Sequence, residues 1–113
     1  MQEPPPSRSS RITELIRLLQ AEDLTNSVRL GILLALYYVD GYVTFATLVR
    51  SVGLSKSTVH GHLEALASRG LVESRKAITI AGVRRVLRLT QRGRQIVEKY
   101  LEIVEELKRE NGR

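Results

Sequence analysis

At Gly70 the chain changes its hydrophobic period. Upstream, apolar residues recur at the three-to-four spacing of a helix; downstream, LVESRKAI (residues 71–78) and VRRVLRL (residues 83–89) read as two strands; from Thr90 the helical spacing returns. Strand side chains alternate between two faces and helix side chains do not, so one segment cannot serve both patterns. The fold class that follows is mainly α with a small β-hairpin, an α+β chain of helices interrupted by one ribbon.

The hairpin also declares its register. Thr79-Ile80-Ala81-Gly82 forms the loop, with Gly82 able to supply the positive φ such a turn needs. Pairing Val72 with Leu89 sets Glu73 opposite Arg88 and Ile78 opposite Val83. That alignment matches apolar with apolar and acid with base.

Upstream, Ile12, Leu15, Ile16 and Leu19 predict a first helix from Ser10 to about Glu22. Thr25, Asn26 and Ser27 offer capping oxygens ahead of a second helix over 28–39, apolar on most sides and expected to be the most buried. Asp40-Gly41 ends it. After the short stretch Tyr42-Val43, Thr44 caps a brief third helix carrying Ala46, Leu48 and Val49. Gly53 stops that helix, Leu54 is expected to drop into the core, and Ser55 opens a fourth helix running from Lys56 to about Arg69. Helix, tight glycine-containing turn, helix is the helix-turn-helix arrangement. Thr90 caps a last helix holding Ile96, Val97, Tyr100, Leu101, Ile103, Val104 and Leu107. Residues 1–9, rich in Pro and Ser, are expected to form a disordered tail, leaving 10–110 as one domain without internal repeats.

The fourth helix raises a chemical question, because SKSTVHGHLEAL (residues 55–66) sets His60 and His62 either side of a glycine. Two residues apart is roughly 200° around a helix, so the pair cannot grip one ion together. Helical zinc sites use i, i+4 spacing, no third ligand stands nearby, and cysteine is absent from the chain. No Ser or acid stands in a recognisable relation to either histidine, so no metal site and no catalytic residue is assigned. Val59, Leu63 and Leu66 form the buried stripe, with His62 beside it as a half-buried structural residue. The opposite face carries Ser57, His60, Gly61, Glu64 and Ser68. Glycine inside a helix costs about 1 kcal/mol relative to alanine, and one reason to keep it exposed is close approach to a groove floor. Ser57, Thr58 and His60 can exchange hydrogen bonds with base edges, while Ser55 and Lys56 at the helix start suit phosphate.

Charge points the same way. The formal net charge is +6, but residues 50–94 hold ten Lys or Arg against Glu64 and Glu73, while the rest of the chain holds eight bases against ten acids. A domain with one basic segment is what a polyanion-binding surface requires. Four Tyr and one Phe are few aromatic platforms for stacking single-stranded bases. No apolar run reaches membrane-spanning length and the N-terminus lacks a signal-peptide core, so a cytoplasmic protein without membrane contact is expected.

"NSVRLGILLAL", "VTFATLVRSVGLSKSTVHGHLEALASRGLVESRK" and "RLTQRGRQIVEKYL" together make the run from Leu24 to Leu107 resemble the winged-helix DNA-binding domains of prokaryotic transcriptional regulators of the MarR and ArsR type. The resemblance implies a homodimer that inserts the helix over about 56–69 of each subunit into a major groove. The hairpin, about 71–90, is then the wing, near the backbone or the neighbouring minor groove. The sequence departs from that pattern in two places. Its wing loop is apolar where basic or polar residues are usual, and it lacks the Cys- and His-rich sets of metal-sensing members. Arg75, Lys76, Arg84, Arg85 and Arg88 flank the loop instead.

The reading is a dimeric, sequence-specific regulator that binds duplex DNA, catalyses nothing and needs no cofactor. Ser55, Lys56, Ser57, Thr58, His60, Gly61, Arg75, Lys76, Arg84 and Arg85 are the expected DNA contacts. The last helix carries an apolar face wider than the ~100° stripe that covers one core, and the first helix can supply its partner surface. Leu15, Leu18, Leu19, Tyr100, Leu101, Val104 and Leu107 are therefore expected at the dimer interface. The alternatives are a winged-helix protein-interaction module, which would not need the basic segment, and a sequence-indifferent chromosomal protein. An enzyme lacks a nucleophile–base set or phosphate-binding glycine loop to support it.

Overall fold

A computed structural model describes residues 8–111. The elements are α1 (Arg8–Ala21), α2 (Ser27–Tyr38), β1 (Val43–Thr44), α3 (Phe45–Val52), α4 (Lys56–Ser68), β2 (Val72–Thr79), β3 (Gly82–Leu89) and α5 (Gln91–Asn111). Residues 1–7 of the expected tail lie outside the described residues, while Arg8 and Ser9 already belong to α1.

The helices α2, α3 and α4 begin where a side chain can replace the missing backbone partner of the first turn. The Asn26 side chain accepts the Arg29 N–H at 3.1 Å, Thr44 Oγ1 that of Thr47 at 3.2 Å, and Ser55 Oγ that of Thr58 at 3.2 Å. Gly53, at φ 75°, ends α3 in the left-handed conformation. Leu54 does not enter the core. It is 42% exposed, because the interior between α3 and α4 is already filled by Leu48, Val59 and Leu63 with Val49 and Val52 against them.

The hairpin takes the expected register, Val72↔Leu89, Glu73↔Arg88 and Ile78↔Val83. Its loop is tighter than the sequence suggests: Thr79 pairs with Gly82, leaving Ile80 and Ala81 to turn the chain, and Gly82 takes φ 104°. A third strand was not legible in sequence. Val43 pairs with Leu87 and Thr44 with Val86, giving the antiparallel order β1-β3-β2. A strand of this length shows no period of its own, and Thr44 also serves as a helix cap.

One core joins these parts. Ile32, Leu33 and Leu36 of α2 meet Leu48, the stripe Val59, Leu63 and Leu66, Leu71 just ahead of the sheet, the sheet residues Val72 and Leu87, and Val97 of α5. Full burial of each such side chain is worth about 1.5–3 kcal/mol. The α5 helix starts at the hairpin's base, where Thr90 donates its N–H to Leu71 O at 3.1 Å and its hydroxyl to Gly70 O at 2.6 Å. The same hydroxyl oxygen accepts the Gly93 N–H at 2.9 Å. Gly93 is buried, and a Cβ there would sit 2.1 Å from Leu71 O.

Two polar links fix the outer helices. α1 lies along α5 of its own chain, bound by an Arg11–Glu106 ion pair and by Lys99 to Glu14 at 3.1 Å, and Ile103 is buried. At the other end of α1, both carboxylate oxygens of Glu22 accept from Arg92, at 2.8 and 2.7 Å. Arg92 also donates to Arg69 O, and Arg69 donates to Ala21 O, each at 2.8 Å. The ends of α1 and α4 and the start of α5 are thereby clamped together.

Candidate nucleic-acid interface

The start of α4 is a knot of hydroxyls. Ser55 Oγ lies 3.2 Å from Ser57 Oγ and donates to Thr58 Oγ1 at 2.9 Å, with all three side chains exposed. Lys56 beside them is exposed. Further along the outer face come His60, Gly61, Glu64 and Ser68, all exposed, while Val59, Leu63 and Leu66 are buried. A Cβ at Gly61 would meet nothing within 4 Å, so the fold itself places no demand for glycine there.

The two histidines have different employment. His62 is half-buried, and its Nδ1 accepts from Arg29 Nε at 3.3 Å, with Arg29 held in turn by Asp23 at 2.7 Å. It is a packing residue. His60 sits between opposite charges: its Nδ1 lies 3.1 Å from Arg85 and its Nε2 3.6 Å from Glu64. Arg85 is always charged and can only donate, so Nδ1 accepts and Nε2 carries the hydrogen toward Glu64. Among the described residues no three His, Asp or Glu side chains gather as a metal site would require.

Arg85 is the hinge pin between helix and hairpin. Besides His60, its Nε donates to Ser74 Oγ at 2.7 Å and its guanidinium lies 4.8 Å from the Phe45 ring centroid. This cation–π contact, worth about 0.5–1 kcal/mol at a partly exposed site, was not visible in the sequence, because forty residues separate the partners. The side chains of Arg75 and Lys76 are exposed, without an ion pair or hydrogen bond among the described residues, and that of Arg84 is exposed with one bond to Val83 O. Arg88 pairs with Glu73, as the register implied. Arg69 and Arg92 are spent in the clamp, and Arg94 lies 5.3 Å over Tyr37. Lys56, Arg75, Lys76 and Arg84, with Arg50 bonded only to Thr47 Oγ1 within its own helix, are thus the cations of the basic segment with least to do inside the fold.

The expected interface residues on the outer helices are placed otherwise than as bare surface. Leu15, Leu18, Leu19, Tyr100, Leu101, Val104 and Leu107 are all half-buried within one chain, and Leu19 and Leu101 pack on the core. The large apolar side chains that α1 leaves exposed are Ile12 and Ile16.

Residues 28–108 match a family described as winged helix DNA-binding domain. The chain belongs to this family. As a winged helix, it carries α4 as the second helix of the helix-turn-helix and β2–β3 as the wing. The fold is shared with a transcriptional regulator homologue from Pyrococcus horikoshii OT3 at 23% identity and TM-score 0.70, covering 86% of this chain and 92% of that one. It is shared with MepR of S. aureus, described in complex with DNA, at 19% identity and TM-score 0.74, covering 92% and 84%. A third relative is the homodimeric winged helix-turn-helix domain from Mycobacterium bovis, a possible ArsR-family regulator, at 23% identity and TM-score 0.59, covering 94% and 91%. Among curated proteins none matches. The family is one of DNA-binding modules and not of enzymes, and no helix among the described residues is long and apolar enough to cross a membrane.

Proposed function

We propose that this winged helix is a cytoplasmic, sequence-specific transcriptional regulator that binds duplex DNA as a homodimer. The observation that carries the reading is the Arg85–His60 contact, which joins the exposed face of α4 to the wing as one surface on which basic side chains outnumber the acid Glu64. Ser57, Thr58 and His60 read base edges from the major groove at the close approach Gly61 allows, and Lys56, Arg75, Lys76 and Arg84 hold phosphates, with Arg85 setting the angle between the two groups. The DNA complex of the S. aureus relative and the homodimeric state of the M. bovis relative support the reading. Dimerisation uses α1 and α5, with Ile12 and Ile16 added to the apolar residues named above, and sets two α4 helices about 34 Å apart on a pseudo-palindromic site.

Selection of bound fragments from a random duplex pool tests the proposal. A two-fold symmetric motif is expected, bound with log K falling against log salt at a slope of about −5 to −9, for roughly 6–10 neutralised phosphates. Equal affinity for unrelated duplexes would assign the protein to the sequence-indifferent class, and a slope near zero would remove nucleic acid from its function.

A further inference from the structure

The wing ends in grease. Ile80 at the turn is fully exposed, Ile78 is 89% exposed and Val83 59%. Single exposed apolar residues are ordinary, but three that adjoin at the tip of a ribbon form a patch and call for an occupant. Ile78 and Val83 are direct cross-strand partners, so they share one face of the hairpin. Lys76 and Arg85, two residues nearer the base, are also partners and lie on that same face. From it Arg85 reaches His60 on α4. The apolar tip therefore continues the face that looks toward the recognition helix.

Lys76, exposed and without a side-chain partner among the described residues, borders the patch on its own face, while Arg75 and Arg84, on the opposite face of the narrow ribbon, add to the positive charge around the tip. Charge complementarity selects a polyanion as the occupant, and the shared face with α4 selects the duplex that α4 reads. The reach is suitable. From the Lys76–Arg85 pair to Ile80 is four residues of strand, about 13 Å. The arm of Arg85 adds to this, against the ~17 Å half-turn between a major-groove centre and the adjacent minor groove. A basic tip would lie in that groove by charge alone. A branched apolar tip gains nothing from lining a groove of polar edges and gains most by leaving water between two base planes.

We propose that Ile80, flanked by Ile78 and Val83, is a wedge that enters the minor groove and partly unstacks one base step in each half-site, bending the DNA away from the wing. This rests on the duplex-binding reading above. It adds deformability of the flanking step as a source of sequence preference at positions no polar side chain touches. Flexible pyrimidine–purine steps are the expected choice at that place.

The test uses the full chain and a duplex enriched by it from a random pool, carrying 2-aminopurine at successive positions on either side of the α4 contacts. Wild type should raise the fluorescence at one step per half-site and shorten the end-to-end distance of a doubly labelled duplex. Ile80→Ser should abolish both signals and weaken that duplex about tenfold, whereas Ile80→Leu should retain both. Ile80 is fully exposed, so neither change threatens the fold. Binding by wild type with no brighter step, and equal affinity of Ile80→Ser, would overturn the wedge and leave the duplex reading standing. Loss in Ile80→Ser of a species with two dimers per duplex, without any change in stacking, would give the patch to a second copy of the chain. Ile80-dependent binding to anionic vesicles without a stacking signal would give it to a lipid surface. Failure of wild type to enrich any duplex would overturn both proposals together.

Discussion

Gly93→Ala places a methyl group where the fold has no room. The added Cβ would stand 2.1 Å from Leu71 O, 3.0 Å from the same carbonyl carbon and 3.1 Å from a Leu89 methyl. The first two obstacles are backbone, so a rotamer change cannot relieve them. The start of α5 must move by about 1 Å or more, since overpacked interiors respond by backbone shifts that cost about 1–3 kcal/mol. Movement also loosens the three bonds at Thr90, to Leu71 O, Gly70 O and the Gly93 N–H, each worth about 0.5–1.5 kcal/mol net. Against these stands the helix preference for alanine, at most about 1 kcal/mol. The balance is a loss of about 2–4 kcal/mol, or a fall in Tm on the order of 10–20 °C for a chain of this size. Thermal and urea unfolding followed by circular dichroism, at one fixed protein concentration because a dimer's stability depends on it, would measure this. An unchanged or higher midpoint for Gly93→Ala would show that the contact with Leu71 does not constrain the helix.

Gly61→Ala should behave oppositely. Its methyl meets open space, so stability rises by up to about 1 kcal/mol while affinity for the selected duplex falls; raised stability with unaltered specific binding would reject close approach as the reason for this glycine. Ile16→Glu, at an exposed position of α1, should leave the monomer folded and shift sedimentation at micromolar concentration from dimer to monomer; an unshifted dimer would move the interface elsewhere. The carboxylate of Glu14 hydrogen-bonded to Lys99 raises its pKa above the ordinary 10.5. A raised value means the folded state holds the proton more firmly, so the contribution is complete below 10.5 and is lost as pH climbs through the folded value. Lys99→Met should therefore cost a constant few tenths of a kcal/mol from pH 6 to 9, as for an exposed pair, and the gap from wild type should close only above pH 10.5; a gap that varies across the neutral range would contradict the assignment.

What the sequence disclosed and what it hid divide by distance along the chain. The caps at Asn26, Thr44, Ser55 and Thr90 are settled within three residues, and the hairpin register within eighteen, so each could be read from local pattern. The β1 strand could not, because its partner among the described residues is Val86–Leu87 far downstream. Leu54 was misjudged for a related reason: its hydrophobicity is local, but the competition for interior space is not. On α5 the sequence showed an apolar face wider than one core needs but not how it is shared out: α1 of the same chain lies along it and Ile103 is buried within the one chain. At the candidate interface, the residue types were legible and their coupling was not. Nothing in the order of the residues says that Arg85 rests on Phe45 and touches His60.

In the proposed dimer, the clamp of Glu22, Arg92 and Arg69 would serve as a ruler beside the reading helix. It ties the end of α1, one of the helices of the proposed interface, to the C-terminal end of α4 through bonds of 2.7–2.8 Å. Adding one base pair between half-sites displaces one of them by about 3.4 Å and turns it by about 35° about the DNA axis. A frame held this stiffly cannot swing α4 to follow. In the proposed dimer, operators of one spacing would then be accepted and those a single pair longer refused, without any residue reading the bases between them. A loosened clamp, as in Arg92→Ala, would yield a regulator that still recognises each half-site but no longer counts the distance separating them.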